Sequence, residues 1–313
     1  MHLRNIGTSG LRVSTIGLGC NNFGGRLDLS ATRLVVDKAI DLGITFFDTA
    51  DIYGNSGGSE EQLGEVLGAR RKDIVLATKF GMAMDKGEKK GASRRYIISE
   101  VEDSLRRLRT DWIDLYQLHQ PDPLTPIEET LRALDDLVHQ GKVRYIGCSN
   151  LPAWQVVESL WTSRKCNLYS FISCQDEYSL LVRTPERELL PAAKHYGLGL
   201  LPYFPLASGL LTGKYHRGQS MPQGARLTNS QGLAKRYIND KNWTIVEELR
   251  KFSESRGHTL LELAFSWLLA HPEVPSVIAG ATKPEQLESN VRAGDWQLTP
   301  DELSEVNRIS DPS

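Results

Sequence analysis

Short apolar runs alternate with longer amphipathic stretches along nearly the whole chain. The first run is STIGLG, residues 14–19, and a helical pattern follows over 30–42, with Ser30 as its expected N-cap and Gly43 as its stop. ITFFD (44–48) is the second strand. The next helix is expected to open at Ser59, with Gln62 at capping-box spacing, and to close at Gly68. DIVLATK (73–79) leads through a polar loop, 81–92, into a helix over 93–108. WIDLYQLH (112–119) is the fourth strand. Thr125, Pro126 and Glu128 predict an N-cap, an N1 proline and a reciprocal carboxylate for a helix that ends at Gly141. VRYIGCSN, FISCQDEY, LGLLPYFP and VPSVIAGA complete eight strand-like runs, with helices expected near 153–163, 187–196 and 284–292.

Eight strands, each followed by a helix, point to parallel pairing and right-handed crossovers. The predicted architecture is therefore α/β, a (β/α)8 TIM barrel in one domain spanning 1–313. RNIGTSGLRVS, ahead of the first strand, reads as a β-hairpin plugging the barrel floor. An open doubly wound sheet is the rival, but such sheets usually carry GxGxxG after the first strand, and Gly17-Leu18-Gly19-Cys20-Asn21-Asn22 lacks the third glycine. Two stretches exceed the repeat. Residues 207–240 form a long loop rich in Gly, Lys and Arg, of the kind that serves as a lid or binding loop. Residues 241–271 and 299–309 supply extra helices near the C-terminus.

Composition narrows the function more than the fold. With 37 Lys plus Arg against 39 Asp plus Glu, the net charge of −2 gives no general attraction to nucleic acid or an anionic membrane. Cys20, Cys148, Cys166 and Cys174 are widely spaced, with no CxxC pair and no zinc spacing, and three of them sit in apolar or small-residue surroundings, which fits buried free thiols in a reducing compartment. MHLRNIGTSG lacks the apolar stretch of a signal peptide and no run reaches the length of a membrane span, so a cytoplasmic location is expected.

Active sites of such barrels lie at the C-terminal ends of the strands. There the sequence places Asp48, with Tyr53 in the following loop, then Lys79, His119, Ser149 and Asn150, Gln175 and Gly280. Taken alone, each has an ordinary reading as a cap, a solvated end or a packing residue. Together they would face one mouth. Tyrosine, with an unperturbed pKa near 10, is a poor proton donor unless a neighbouring ammonium lowers it. Lys79 could do that, Asp48 could hold Lys79 charged, and His119 could bind a substrate oxygen. The set suits protonation of an alkoxide formed from a carbonyl. It contains no electron donor, so a hydride cofactor is implied. Metal catalysis lacks an HxH or HExxH pair, and a serine nucleophile lacks its GxSxG elbow.

The motifs FFDTADIYG, LATKFG, DLYQLHQPDP, GKVRYIGCSN, PLASGLLTGKY and IAGATKPEQLESN resemble those of the aldo-keto reductase superfamily, in the branch that also holds the potassium-channel β-subunits. The resemblance runs from about residue 3 to 309 in the family's order. It implies a barrel binding NADPH across its mouth, with Tyr53 as proton donor, Lys79 lowering its pKa, Asp48 pairing with Lys79, and His119 orienting the substrate. It further implies nicotinamide contacts from Asp48, Ser149, Asn150 and Gln175, stacking by Tyr203 beside Phe204, and a ribose border at Cys20 and Asn21. Pro205, Leu206, Ser208, Gly209, Leu211 and Lys214 would wrap the pyrophosphate, helped by Arg226. Gly280, Thr282, Lys283, Gln286 and Asn290 would hold the adenosine end, where backbone N–H groups at the helix start favour a phosphate. Many relatives carry arginine where Gln286 stands, so Lys283 and Arg226 are expected to supply that charge. Selectivity for a small carbonyl substrate is expected from loops 21–26, 80–92, 120–123 and 177–178, with Phe23, Phe80, Met82 and Tyr178 as candidate walls. A nicotinamide-binding regulatory subunit and an alcohol dehydrogenase working oxidatively are the alternatives.

Overall fold

The structure, a computed structural model, describes residues 1–84 and 89–311. Its first two strands, β1 (Leu3–Asn5) and β2 (Arg12–Ser14), form an antiparallel hairpin. Eight parallel strands follow: β3 (Ile16–Gly19), β4 (Phe46–Asp48), β5 (Val75–Phe80), β6 (Ile113–Leu118), β7 (Val143–Ser149), β8 (Phe171–Glu177), β9 (Gly199–Tyr203) and β10 (Val277–Gly280). They run around the sheet in the order β10-β3-β4-β5-β6-β7-β8-β9, a nearly closed barrel with its seam between β9 and β10. A backbone bond from Leu200 N–H to the Glu273 carbonyl, 2.7 Å, crosses near that seam.

The hairpin does plug the floor. Ile6 and Val13 pack with the inward-facing Phe46, Ala77, Leu115, Leu201 and Ile278 in one buried cluster. Gly7 has a positive φ of 55°, and a Cβ there would stand 2.2 Å from the Gly197 carbonyl oxygen, so the hairpin tip approaches the barrel backbone as only glycine permits. The expected first strand, 14–19, splits at its start. Ser14 closes the hairpin and uses its hydroxyl on the Ile16 carbonyl, 2.6 Å, while accepting Thr45 N–H at 3.0 Å.

A larger apolar layer lies between the strands and the helices outside them. The helices are α1 (Leu29–Asp41), α2 (Tyr53–Leu67), α3 (Arg94–Leu108), α4 (Ile127–His139), α5 (Ala153–Cys166), α6 (Leu189–Tyr196), α7 (Arg226–Asn229), α8 (Gln231–Tyr237), α9 (Asp240–Glu254), α10 (Leu260–Leu269), α11 (Pro284–Ala293) and α12 (Pro300–Ile309).

Three caps differ from the sequence reading. Asp28, not Ser30, caps α1, because its carboxylate accepts both Ala31 N–H and the Ser30 hydroxyl at 2.8 Å. Helix α2 is counted from Tyr53, but its backbone at 54–57 is not helical and the regular helix starts only after Gly57, close to the expected Ser59; Ser59 and Gln62 nonetheless make no capping box. Ser59 donates instead to the Cys20 carbonyl, and Gln62 accepts from Gly24 N–H and the Thr32 hydroxyl. Thr125 does not cap α4; its hydroxyl is taken by the Asp122 carboxylate at 2.7 Å. At α1 and α4 a neighbouring aspartate, two or three residues away, outcompetes the expected cap, and at Ser59 a tertiary partner does.

Candidate active site

Strand β4 ends on Asp48, and the chain turns at once. Thr49 N–H bonds the Ala77 carbonyl and Asp51 N–H bonds the Lys79 carbonyl at 3.0 Å, so the turn is laid along β5. This carries Tyr53 back over the barrel mouth. Strand alternation then puts Lys79 inside the barrel, its Nζ donating to Asp48 Oδ2 at 2.6 Å and to the Thr49 carbonyl at 3.0 Å. Lys79 Nζ lies 5.3 Å from the Tyr53 ring centroid. The His119 ring stands edge-on to Tyr53, with centroids 5.7 Å apart at 81°. The four residues nominated from sequence therefore converge in one place.

Charge in this nest follows from burial and pairing. Burial opposes the Lys79 ammonium, but Asp48, with lesser help from Tyr53 and Cys20, raises its pKa overall. Tyr53 departs from the expectation that Lys79 would lower its pKa. Loss of water pushes the phenol up, Lys79 pulls it down, and Asp48 adds to the upward push, with a net rise. His119 is driven well below the ordinary histidine value by burial and then by Lys79, so its imidazole is neutral at pH 7. Its Nδ1 is buried without a partner.

Around these four lies a ring of amides. Gln175 Nε2 donates to Asp48 Oδ1 at 3.0 Å and Gln117 Nε2 to the same oxygen at 3.2 Å. Gln117 was not singled out by sequence. It lies two residues before His119 in the run WIDLYQLH, read as a strand, hence on the same face, and that period was the available signal. Asn150, at φ 60°, donates to the His119 carbonyl (2.9 Å) and the Ser149 hydroxyl (3.0 Å), and its Oδ1 accepts from the Tyr203 hydroxyl at 2.8 Å. Asn150, Ser149 and Tyr203 thus form one hydrogen-bonded arc from β7 to β9.

The other nominated residues fall into two groups. Cys20 is buried, and Asn22 bonds the Ala281 carbonyl at 3.2 Å, so the loop holding Cys20 and Asn21 abuts Gly280. A Cβ on Gly280 would come within 3.3 Å of Asn21 Oδ1 and 3.2 Å of Asn22 Nδ2. Beyond β9, Phe204, Ala207 and Ser208 all have positive φ, and a 3-10 helix spans Ala207–Thr212. Pro205, Leu206, Gly209 and Leu211 line this turn. The Ser208 hydroxyl is buried without a partner. Lys214 Nζ would stand 3.3 Å from a Cβ on Gly209, and the Arg226 guanidinium lies over the Phe204 ring at 4.9 Å.

Arg26, which the sequence reading placed only in a rim loop, joins them. It donates to the Gly224 carbonyl at 3.0 Å, and its charge, after burial, helps lower the pKa values of both Lys214 and Arg226. None of the three cations is ion-paired among the described residues. An unpartnered hydroxyl and three unpaired cations fit a bound diphosphate.

At α11 the expectation needs correction. Gln286 Oε1 accepts Thr282 N–H at 2.7 Å and Lys283 N–H at 3.3 Å, so these helix-start amides are already engaged. The Lys283 side chain is exposed, and Asn290 is buried about two turns further on.

The candidate walls are also corrected. Phe23, Phe80 and Tyr178 are fully buried core residues; Phe80 packs on Tyr116 at 4.7 Å, and Tyr178 bonds Glu186 at 2.8 Å and His271 at 3.1 Å. Met82 keeps partial exposure. Residues 85–88 of the expected rim loop lie outside the described residues. Glu177, by contrast, ends β8 and binds Arg236 and Tyr237 of α8, tying the long 207–240 segment to the barrel mouth. Among the described residues no group of three His, Cys, Asp or Glu is placed to hold a metal, and no helix is long and apolar enough to cross a membrane.

Residues 15–311 match the model of the Aldo/keto reductase family. A probable voltage-gated potassium channel subunit beta from Arabidopsis thaliana is 38% identical over 99% of this chain and 96% of its own. The L-glyceraldehyde 3-phosphate reductase of Escherichia coli strain K12 is 35% identical over 98% of this chain and 92% of its own. The holo form of an aldo-keto reductase from Bacillus halodurans superposes with a TM-score of 0.83 at 33% identity, covering 100% of this chain and 97% of that one.

Proposed function

The chain belongs to the aldo/keto reductase family of oxidoreductases, and we propose that it reduces small aldehydes or ketones with NADPH, using Tyr53 as the proton donor. The observation that carries this reading is the placement of the Tyr53 ring between Lys79 Nζ at 5.3 Å and the His119 ring at 5.7 Å.

A bound nicotinamide supplies the hydride. The protein supplies the proton and the field. Burial keeps the Tyr53 phenol protonated at neutral pH, which is the form a donor needs. When the proton leaves for the carbonyl oxygen, the Lys79 ammonium stabilises the phenolate, and this is where the charge does most. Asp48 keeps Lys79 charged and Gln117 and Gln175 hold Asp48. Neutral His119 offers a ring N–H to the same carbonyl oxygen and adds no second positive charge beside Lys79.

Tyr203, Asn150 and Ser149 would hold the nicotinamide, with Cys20 and Asn21 bordering its ribose. The turn from Pro205 to Leu211, with Lys214, Arg226 and Arg26, would hold the diphosphate. Lys283 would meet the adenosine 2′-phosphate. A second reading, a nicotinamide-binding regulatory subunit, draws on the likeness to the plant channel subunit; oxidation of an alcohol by the same groups is the reverse of the proposed reaction.

The deciding experiment is an aldehyde and ketone panel with NADPH oxidation followed optically, run on wild type and Tyr53→Phe. Reduction by wild type and a loss of at least about 10³-fold in the variant, about 4 kcal/mol of barrier, support the reading. NADPH binding with no turnover of any carbonyl or alcohol would favour the regulatory subunit, and full activity in Tyr53→Phe would remove Tyr53 as the donor.

A further inference from the structure

Between Tyr53 and the regular part of α2, the backbone turns the wrong way. Gly54, Asn55, Ser56 and Gly57 have φ of 70°, 64°, 65° and 114° in succession. Asn55 and Ser56 are not glycines, and isolated L residues, not runs, visit this region. A segment in this conformation persists only where its surroundings impose it.

Two surfaces do so. On one side the loop after β3 presses close: a Cβ on Gly54 would stand 2.4 Å from the Phe23 carbonyl oxygen, and one on Gly24 2.4 Å from the Gly58 carbonyl carbon. Against Gly57 lies the side chain of Arg107 of α3. A Cβ on Gly57 would meet Arg107 Cδ at 2.7 Å and Nε at 3.1 Å.

Arg107 is itself held. Its Nε donates to Glu60 Oε2 at 2.7 Å, and its Nη2 to Glu100 Oε1 at 2.5 Å and the Ser104 hydroxyl at 3.3 Å. Its side chain is 11% exposed, against 0% for Glu60 and 1% for Glu100. Glu60 Oε1 accepts the Thr78 hydroxyl at 2.5 Å, and Thr78 immediately precedes Lys79 on β5. One guanidinium thus joins α2, α3 and the strand that carries Lys79, directly beneath the left-handed turn that carries Tyr53.

We propose that Arg107 is a positioning residue that holds residues 54–57 in their left-handed course and so fixes the Tyr53 hydroxyl relative to Lys79 and His119. The proposal rests on the reading of Tyr53 as proton donor. Lysine at 107 would keep the charge but lose the fork that engages Glu60 and Glu100 together.

The test compares wild type, Arg107→Lys, Gly57→Ala, the double variant and Tyr53→Phe, with 4-nitrobenzaldehyde and NADPH. Binding of NADPH is read by fluorescence titration and local opening by hydrogen exchange of peptides covering 53–59. Each single variant is expected to lose at least ten-fold in kcat, with NADPH Kd changed less than two-fold and faster exchange confined to 53–59. The double variant is expected to lose no more than the worse single one, since both act on the same contact. A folded Arg107→Lys with kcat within two-fold of wild type overturns the proposal, as do losses that multiply in the double variant. A merely structural Arg107 would lower the unfolding midpoint and leave kcat per folded molecule unchanged. If Arg107→Lys does not fold, Gly57→Ala carries the test, because it crowds Arg107 and strains the φ 114° backbone of the same turn without deleting a charge; wild-type kcat there overturns the proposal. Full activity in Tyr53→Phe would instead defeat the underlying reading, whereas an inactive Tyr53→Phe beside a fully active Arg107→Lys would defeat only the role of Arg107.

Discussion

Lys79 Nζ lies 2.6 Å from Asp48 Oδ2, with the lysine side chain wholly buried and that of the aspartate 5% exposed. Each charge is tolerable there only because of the other. The lysine pKa is raised above its ordinary 10.5, so the contribution of the pair to stability is fully present below that value and is lost as pH rises through the higher folded one.

Asp48→Asn removes the first cause that raises Lys79 and leaves an ammonium buried without its counter-charge. Breaking such a pair from one side costs about 3–5 kcal/mol of stability. The expected kcat loss is about 10²-fold or more, since the ammonium then loses its proton or its position. Denaturant titration and steady-state kinetics check both; the double variant Asp48→Asn/Lys79→Met should recover part of the lost stability. An Asp48→Asn protein as stable as wild type would mean that the pair is not what holds Lys79.

Gln117→Leu tests the ring around Asp48. The substitution removes one of two amide donors to Asp48 Oδ1 while keeping bulk. A lost hydrogen bond to a buried charged group costs about 1–3 kcal/mol. The expected result is a lower unfolding midpoint and a kcat reduced about 5-fold, converted at about 1.4 kcal/mol per decade, with NADPH affinity unchanged. An unaltered midpoint would show that Gln175 alone suffices.

How much of this was legible in the chain depends on the distance over which each signal acts. The barrel, its floor hairpin and the convergence of Asp48, Tyr53, Lys79 and His119 followed from strand periodicity, because a parallel barrel turns every strand end into a neighbour of every other. The caps at Ser30, Ser59 and Thr125 failed because Asp28, Cys20 and Asp122 offered these hydroxyls or the helix amides better-placed partners, some of them distant in sequence. Phe80 and Tyr178 looked like pocket walls because they follow strand ends, but a strand-end aromatic can equally turn outward into the helix layer. Arg107 and Arg26 gave no signal of their own: one is among four arginines on a charged helix, the other an exposed loop residue, and only the fold brings each to its partners.

Gln286 and Lys283 bear on the choice of cofactor. With the Thr282 and Lys283 amides taken by Gln286, the proposed preference for NADPH would rest on side-chain charge. Lys283→Ala is therefore expected to weaken NADPH about 10-fold, about 1.4 kcal/mol, and NADH by less than two-fold. Gln286→Ala frees the two amides for an anion and should tighten NADPH relative to NADH. Fluorescence titration with both cofactors reads each ratio; equal losses for the two in Lys283→Ala would count against a contact with the 2′-phosphate.

Asp51, one of the two acids that end the ITFFDTAD run, is buried with Oδ1 unpartnered and Oδ2 at 3.4 Å from the Tyr96 hydroxyl. Burial, then the nearby Glu60 and Glu100, raise its pKa well above the ordinary carboxyl value of 3.8, against lesser opposition from Ile52 N–H and Arg107. The folded protein thus holds a proton that the unfolded chain gives up near pH 4. The sign follows: as pH rises from there toward the folded pKa, the unfolded state binds fewer protons, and stability falls by up to about 1.4 kcal/mol per pH unit. Asp51→Asn keeps the shape and an acceptor for Tyr96 but cannot ionise. It should match wild type near pH 4 and exceed it at pH 7 to 8, a gap that opens as pH rises. Unfolding midpoints for both proteins across that range check this. Parallel curves would show that Asp51 ionises in the folded state without cost, and that the three carboxylates near Arg107 are balanced by a charge or water not yet assigned to them.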